Sequence, residues 1–230
     1  MNYKMNVRYF TRAGVGKIAV GCWIAVAAGL LGYFALKWFW SYISASFAIC
    51  AAIAAIVASS FSVSDKEYGV SVANAEKAFQ KKFREFTEEK LNAHNGRGKA
   101  PVSIDDEKIK YARAYFFEGQ VMFRVGNDGR RRSNKLVLTS YYADKTTLYL
   151  GSNLFSMTED ASEELFGAYP LAGIESISAS RPEDRPAFAE YDTVTMTLKN
   201  KPEPVVFHMT KDIELDQLIS YVNLHITKED

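Results

Sequence analysis

Cysteine and histidine are scarce in this sequence of 230 residues. It holds two cysteines and three histidines, and no two of them have the short spacing of a zinc motif. Both cysteines, Cys22 and Cys50, fall in apolar segments at depths too different for a disulfide. The sequence also has no nucleotide-binding loop and no nucleophile motif. We therefore expect no metal ion, no cofactor and no catalytic residue, and we predict that the protein is not an enzyme.

Charge is missing from one long stretch of the chain. Between Ile18 and Ser64 the only charged residue is Lys37. A single helix over this segment would be roughly 70 Å long, whereas the hydrocarbon core of a bilayer is about 30 Å thick. Two helices, at 18–36 and at about 40–61, match that thickness. The sequence thus predicts a transmembrane helical hairpin whose tip lies near Lys37.

Aromatic side chains cluster at this predicted tip. Tryptophan and tyrosine are enriched where a membrane meets water, and a lysine side chain can extend into the headgroups. Two alternatives stay open for the apolar segment: a buried hairpin of a soluble protein, and a cleavable signal peptide over residues 1–40. The predicted membrane-interface anchors are Lys37, Trp38, Trp40 and Tyr42.

Small residues recur every four positions in the first predicted span, at Gly21, Ala25 and Gly29. This spacing lets two helix backbones approach closely. We expect these residues to pack the hairpin against itself, with a homo-oligomer contact as the alternative. Neither span contains an acidic residue, a histidine or an arginine, so a proton or ion pathway through this chain is not expected.

Acidic residues are absent from the first 64 positions, which carry five basic residues. Lys4, Arg8, Arg12 and Lys17 precede the first span and mark that end as cytoplasmic by the positive-inside rule. The remaining 166 residues carry 23 basic and 27 acidic side chains, a net charge of −4. This balance gives no support for nucleic-acid binding. Two spans place both termini in the cytoplasm.

Hydrophobic periodicity organises residues 65–230. Ser64 and Glu67 have capping-box spacing and open an amphipathic helix that we predict over 65–94. From about residue 108 a period of two predicts seven strands, and a final helix is predicted over 212–226. The predicted regions are a basic N-terminus (1–17), a transmembrane hairpin (18–62), an amphipathic helix with a linker (63–100), and a small antiparallel β-barrel with a C-terminal capping helix (101–230).

Four segments of the β region carry a resemblance: "LVLTSYYADKTTLYLGSNLFSM", "YPLAGIESISAS", "VTMTLKN" and "VVFHMTKDIELDQLISYVN". Together they resemble bacterial pleckstrin-homology-like (PH-like) and GRAM domains. The similarity covers about residues 108–226, and the paired spans ahead of it resemble those of membrane-anchored bacterial relatives. The resemblance implies a PH-like barrel, a place in the bacterial inner (cytoplasmic) membrane, and a binding or scaffolding role without a shared reaction.

The polar stretch "GNDGRRRSNK" holds the candidate contact residues Arg130, Arg131, Arg132 and Lys135. We predict that they lie on a loop between two strands. Arginine is suited to phosphate and carboxylate groups, and the PH-like resemblance implies that basic residues of an early hairpin loop bind anionic headgroups. Either an anionic lipid surface or an acidic partner fits, and a solvated loop remains the alternative.

Two further stretches have plain predictions. The acidic segment "MTEDASEELFGAYP" is predicted to be a solvated helical turn or a partner-facing patch. His208 alternates with apolar neighbours in a predicted strand, so we expect its ring to face solvent.

Two functions are compatible with these patterns. The first is a non-enzymatic inner-membrane protein whose cytoplasmic PH-like domain binds or scaffolds a protein partner. Its setting would be a membrane-associated assembly, such as secretion or conjugation machinery, entry exclusion or immunity. The second is a membrane sensor that binds anionic lipid. Membrane lipids and a protein partner are thus the expected partners, nucleic acid is not expected, and a homo-oligomer stays open.

Overall fold

The computed structural model describes residues 2–12, 14–94, 101–181 and 186–226. The predicted linker at 95–100 lies outside these residues. The chain forms two compact units, Asn2–Ser71 and Val72–Asp230, which we call the hairpin unit and the β unit. The helices are α1 (Tyr3–Thr11), α2 (Val15–Ala35), α3 (Phe39–Phe61), α4 (Asp65–His94) and α5 (Ile213–Ile226).

Helices α2 and α3 form the predicted hairpin. Only Leu36–Trp38 separates them, and the Ser41 hydroxyl donates a hydrogen bond across this tip to the Tyr33 carbonyl at 3.0 Å. The two helices are long and apolar enough to cross a membrane. Their outer surfaces keep large apolar side chains exposed, including Leu31 and Phe34. The outer faces of both helices, which lie away from the helix–helix contact, are therefore apolar.

The hairpin unit also contains a helix that the sequence pattern did not predict. Helix α1 begins at Asn2, whose side chain accepts a hydrogen bond from the Met5 backbone N–H at 3.2 Å. One side of α1 is buried, with Tyr9 fully inaccessible to solvent. The Tyr9 ring stacks on Tyr68 at 4.2 Å between centroids. The N-terminal helix and the beginning of α4 thus lie at the same end of the hairpin.

Helix α4 spans Asp65–His94, the predicted bounds. Its capping box is formed, because the Ser64 hydroxyl accepts from the Glu67 backbone N–H while the Glu67 carboxylate accepts from the Ser64 N–H at 2.8 Å. These two contacts satisfy donors that a helix start leaves without intrahelical partners. The local sequence therefore fixes where this helix begins.

The described residues of the β unit form nine strands rather than the seven predicted. The additional ones are β3, within the arginine stretch, and β6, within the acidic stretch. The strands are β1 (Lys110–Phe116), β2 (Phe123–Val125), β3 (Arg131–Ser133), β4 (Lys135–Ala143), β5 (Thr147–Ser156), β6 (Ser162–Pro170), β7 (Ile174–Ser180), β8 (Tyr191–Leu198) and β9 (Lys201–Thr210).

All strand pairs are antiparallel and form three sheets. These are a four-stranded sheet with the order β1-β4-β5-β6, a two-stranded ribbon of β2 and β3, and a three-stranded sheet with the order β7-β8-β9. The sheets are not closed into a barrel. The predicted antiparallel domain with a C-terminal helix is confirmed, whereas the predicted closure into a barrel is not.

The main core of the β unit lies between the two larger sheets and α5. Leu150 of β5, Val194 of β8 and Leu218 of α5 are fully buried there. The other face of the four-stranded sheet is covered by α4, whose Phe83 packs in a cluster with Tyr149. The four-stranded sheet is thus buried on both faces. The phenylalanine stripe of α4 belongs to this packing.

The prediction of a helical turn in the acidic stretch was wrong, since Ser162–Pro170 forms β6 and pairs with β5. The alternative of a partner-facing patch stays a prediction. Glu163 and Glu164 lie in an edge strand, where polar side chains can remain in contact with water. Lys82 of α4 forms an ion pair with Glu164. An edge strand can carry charged side chains, so the acidic residues of this segment do not rule out a strand.

A candidate binding groove between two strands and a hairpin

The β2–β3 ribbon and its turn carry the predicted basic residues. The turn is closed by a hydrogen bond of 2.9 Å from the Gly126 N–H to the Arg130 carbonyl. Gly129 has a φ of 75°, a conformation in which glycine avoids the steric cost of a side chain. The predicted location on a loop was wrong for Arg131 and Arg132, which lie in β3. Arg130 lies at the end of the turn, directly before that strand.

Strand alternation separates the arginines. Arg132 forms a bidentate pair with Asp128 of the turn, with hydrogen bonds of 2.9 and 2.6 Å. This contact and the Arg130 backbone N–H hold the pKa of the Asp128 carboxyl well below its usual range. Arg131 points elsewhere, with its guanidinium carbon 4.0 Å from the ring centroid of Phe188. Arg132 therefore stabilises the turn, and Arg131 belongs to a different surface.

Lys135 does not join that surface. It is the first residue of β4, where it lies opposite Phe116 and Ser156 in the register. Its carbonyl accepts a hydrogen bond from the Ser133 hydroxyl at 2.7 Å. This residue is thus part of the sheet that supports the ribbon.

A groove of about 660 Å³ runs between β1, the β2–β3 turn and the segment before β8. We call it the arginine groove. It combines basic side chains from two strands and a turn with aromatic rings from distant parts of the chain, and it contains one carboxylate. Its lining residues are Arg113, Ala114, Tyr115, Phe117, Gly129, Arg130, Arg131, Phe188 and Glu190.

Aromatic contacts hold one wall of the groove in place. Phe188 meets Phe117 edge to face, with ring centroids 5.0 Å apart, and Arg131 covers the Phe188 ring. Burial raises the pKa of Tyr115, while the neighbouring Arg132 and Arg113 oppose this shift. The wall is therefore a packed aromatic surface with guanidinium groups at its border.

The electrostatic balance of the groove favours an anion. Three arginines face one carboxylate, Glu190. Arg113 is partly neutralised, because its Nη1 lies 2.7 Å from Oε2 of Glu76 in α4. Arg130 and Arg131 have no carboxylate partner among the residues that the structure describes. These two side chains carry the charge available to a ligand.

The predicted interface anchors all lie at the tip of the hairpin. Trp38, Trp40 and Tyr42 are 85%, 62% and 68% exposed, and Lys37 is exposed as well. Trp38 has a φ of 47°, in the left-handed region that a non-glycine residue seldom adopts. The tip therefore presents three aromatic rings and one amine outside the helix–helix contact.

The predicted packing residues occupy different positions. Gly29 lies against α3, since a Cβ there would be 2.9 Å from the Ala48 Cβ and 3.0 Å from the Ser44 carbonyl. Ala25 is half-buried, and a Cβ at Gly21 would meet no atom within 4 Å. Of these three positions, only Gly29 lies at a close approach of the helices. Gly32 lies at another, since a Cβ there would be 2.8 Å from the Ser44 hydroxyl.

The expectation that His208 faces solvent holds only in part, because its ring is half-buried. Its ring lies 5.0 Å from that of Phe116 and 5.7 Å from that of Tyr191. Desolvation by this packing lowers the pKa of His208, although the charges of Glu118 and Glu163 oppose the shift. A second apolar cluster, around Phe116 and Tyr191, covers this side of β9. The period of two in β9 gives no sign of that cluster.

Metal-ligating side chains are not assembled in the described part of the chain. No group of three or more His, Cys, Asp or Glu side chains there could hold a metal ion. Cys22 and Cys50 are free thiols in α2 and α3. The arginine groove is therefore the site with the most distinctive chemistry among the described residues.

No protein-family model, no curated protein and no solved structure matches this chain.

Of the nine residues that line the groove, the sequence predicts only Arg130 and Arg131. Arg113 and Tyr115 lie in β1, and Phe188 lies in a turn before β8, far along the chain from the arginine stretch. Each follows an ordinary local pattern, so no spacing in the sequence connects them. The pairing of β1 with β4, which begins directly after the ribbon, brings Arg113 and Tyr115 beside the ribbon. Phe188 joins them through its contacts with Phe117 and Arg131.

Proposed function

We propose that this protein is a membrane-anchored, non-enzymatic binding protein whose β unit binds an acidic segment of a protein partner in the arginine groove. The observation that carries the proposal is the convergence of Arg113, Arg130 and Arg131 with Tyr115, Phe117 and Phe188 around one groove. Its biological setting is a membrane-associated assembly.

The chemistry of the groove suits a peptide with carboxylates and at least one apolar side chain. Guanidinium groups bind carboxylates through paired hydrogen bonds, and arginine and aromatic residues are enriched among the residues that dominate binding energies. A volume of about 660 Å³ accommodates a few side chains. The guanidinium groups of Arg130 and Arg131, which no described carboxylate neutralises, would meet the acids. The aromatic wall around Phe188 and Phe117 would take the apolar group.

The order of elements supports a PH-like assignment of the β unit. Four strands of one sheet precede three strands of another, and α5 follows them as the last element. The basic ribbon interrupts the connection between β1 and β4, the first two neighbours of the four-stranded sheet. PH-like domains share this order of two sheets and a final helix, and a binding role is common to them.

The anchoring half of the proposal rests on α2 and α3 as membrane spans. Three basic residues and no acidic ones precede α2, and Lys17 lies in its first turn, which favours a cytoplasmic N-terminus. The stacking of Tyr9 on Tyr68 brings α1 and the beginning of α4 to one end of the hairpin. We therefore infer a bacterial inner-membrane protein with both ends of the chain in the cytoplasm.

Peptide binding to the full-length protein in detergent tests this function. The probe is a set of fluorescein-labelled twelve-residue peptides rich in Glu and Asp with one Leu or Phe, and fluorescence anisotropy is the readout. Replacing both Arg130 and Arg131 with Ala should weaken binding by at least about tenfold, because a charged hydrogen bond contributes about 1.5–3 kcal/mol.

The matched control replaces Lys145 and Lys201, two exposed basic residues of the β unit that do not line the groove. This control removes the same charge and should bind the peptides as the unchanged protein does. Equal losses in both double variants would mean a nonspecific charge effect. That result would remove the groove as the binding site.

A second candidate function is favoured by one separate observation. Phe123 and Val125 of β2 are 62% and 53% exposed, and Val125 lies opposite Arg131 in the ribbon. Exposed apolar side chains beside arginines are also suited to an anionic membrane surface. The ribbon would then touch anionic lipid, and the β unit would sense membrane composition.

The two functions use different side chains and can be separated. Amide hydrogen exchange of the ribbon should slow in phosphatidylglycerol nanodiscs relative to phosphatidylcholine nanodiscs if the lipid function holds. Replacing Phe123 and Val125 with Ser should abolish this difference and leave peptide binding unchanged, because neither residue lines the groove. Equal exchange in both lipids would exclude the sensing role.

A further inference from the structure

Helix α1 presents a basic face that neither function uses. Lys4, Arg8 and Arg12 follow one another at intervals of four, which places them along one side of a helix. All three are exposed, whereas Asn6, Tyr9 and Phe10 on the other side are buried. The helix is therefore amphipathic, and its exposed side is positively charged.

Aromatic packing fixes the position of this face. Tyr9 stacks on Tyr68 with an interplanar angle of 4°, and Phe10 meets the same ring edge to face at 5.3 Å. The Tyr9 hydroxyl donates a hydrogen bond of 2.8 Å to the Asp65 carboxylate. Lys4 and Arg8 are thus carried by a helix that is packed in place, and Arg12 directly follows its last residue.

Both arginines of this face converge on one ring at the end of α3. The guanidinium carbons of Arg8 and Arg12 lie 5.7 and 4.4 Å from the ring centroid of Phe61. A cation–π contact attracts each cation to the ring but does not replace the hydrogen-bond acceptors that guanidinium N–H groups require. The hydrogen-bond donors of two guanidinium groups therefore lie close together beside the Phe61 ring.

These donors lack an anionic partner within the described part of the chain. The structure pairs neither Arg8 nor Arg12 with a carboxylate, and the nearby Asp65 accepts its hydrogen bond from Tyr9. Two positive charges beside one ring repel each other, and a bound anion would reverse this cost. Phosphate suits two arginines because each can donate two parallel hydrogen bonds.

We propose that Arg8 and Arg12, held over Phe61, bind the phosphate of an anionic phospholipid at the base of the hairpin. Phe61 is the last residue of α3, so the site would lie where the candidate span meets the headgroups. The apolar surface of α3 continues from the site and would accommodate the acyl chains. Charge complementarity and this continuity argue for a lipid rather than a soluble phosphate. The inference rests on the proposed insertion of the hairpin in a membrane.

Lipid retention by the full-length protein tests the site. The protein is reconstituted in nanodiscs that contain phosphatidylcholine with one fifth phosphatidylglycerol, extracted in mild detergent, and examined by native mass spectrometry for bound lipid. Replacing Arg8 and Arg12 with Gln should lower phosphatidylglycerol retention by roughly 30-fold, since each charge near an anionic surface contributes about fivefold. Unchanged retention would overturn the proposal.

A matched control replaces Lys66 and Lys77 with Gln, two exposed basic residues of α4. This variant should retain phosphatidylglycerol normally, and an equal loss would show that any basic residue suffices. Phe61→Leu keeps every charge and removes only the ring, so a severalfold loss is expected. Because basic residues help to set membrane orientation, protease accessibility of the β unit is compared in all variants. If the arginine variant inserts with the opposite orientation, the lipid retention of Phe61→Leu decides whether the site exists, and unchanged retention in that variant would contradict it.

Two further arms separate the possible reasons for failure. Inorganic phosphate at millimolar concentration should not compete with retained phosphatidylglycerol, and full competition without lipid selectivity would identify a soluble phosphate site and overturn the lipid assignment. Alkaline carbonate washing of membranes tests the spans themselves. A protein that leaves the membrane contradicts the proposed anchoring, whereas a protein that stays without selective lipid contradicts only this site.

Discussion

The hairpin unit and the β unit distribute the same residue types in opposite ways. Leu31 and Phe34 of α2 are 71% and 82% exposed, whereas Leu148 and Leu150 of β5 are fully buried. In the β unit, removal of apolar surface from water stabilises the packing. In a bilayer that force is absent between helices, and close backbone approach replaces it. If the hairpin spans a membrane as proposed, burial identifies the core of the β unit alone, because only that unit is surrounded by water.

A pair of leucine substitutions tests this contrast with the largest expected effect. Leu150→Ala removes a fully buried side chain and should lower the free energy of unfolding of the β unit by about 2–5 kcal/mol. Leu31→Ala removes an exposed one and should change stability by about 0.5 kcal/mol or less. Hydrogen exchange of the full-length protein in detergent measures both. Similar effects of the two changes would contradict the opposite roles of these leucines.

A second pair of substitutions examines packing inside the hairpin. Gly29→Leu introduces atoms where a Cβ alone already approaches Ala48 to 2.9 Å, and overpacking of this kind costs about 1–3 kcal/mol. All three tryptophans lie in the hairpin unit, at 23, 38 and 40. Their fluorescence during titration with sodium dodecyl sulfate therefore reports on this unit alone.

Gly21→Leu is the control, because a side chain at Gly21 meets no neighbouring atom within 4 Å. It should leave the fluorescence transition within about 0.5 kcal/mol of the unchanged protein. If Gly21→Leu destabilised the hairpin as much as Gly29→Leu, the helix contact would lie on a different side of α2.

The sequence predicts those elements whose signal is local. The capping box at Ser64 and the amphipathic period predict α4 with its observed bounds, and the gap in charge predicts the hairpin around Lys37. Strand β6 was missed because Glu163 and Glu164 lie in an edge strand that needs few apolar residues. Helix α1 has no comparable signal, because the basic residues before the first span are typical of a cytoplasmic N-terminus whether or not they lie in a helix.

The candidate site could be predicted only in part, because most of its residues are brought together by contacts that are not local in the sequence. Arg130 and Arg131 form a conspicuous run, but their use depends on strand alternation, which turns Arg132 toward Asp128 and Arg131 toward Phe188. Arg113 has no distinctive neighbours in the sequence. Its position in the groove follows from strand pairing, which connects residues that are distant along the chain.

A single hydroxyl group tests whether α1 belongs to the hairpin unit as a packed element. Tyr9→Phe keeps the ring stacked on Tyr68 and removes the hydrogen bond to Asp65. The free energy of opening of α1 should fall by about 1.5–3 kcal/mol, since the acceptor is a carboxylate. Hydrogen exchange of residues 3–11 measures it. Tyr42→Phe, at an exposed ring, is the control, and equal exchange in the two variants would mean that the bond contributes nothing.

The smallest expected effect is a difference between the two units in how their folding stability changes with pH. Burial lowers the pKa of His208 in the folded β unit below the value of about 6.5 that it has in an unfolded chain. As pH falls below about 6.5, the unfolded chain binds a proton that the folded unit resists, so stability decreases between pH 7 and pH 5. No histidine lies in residues 1–71, and the tryptophan-reported hairpin should not respond. His208→Gln should reduce the response of the β unit and His225→Gln should retain it. A response that survives in His208→Gln would assign the effect to other groups.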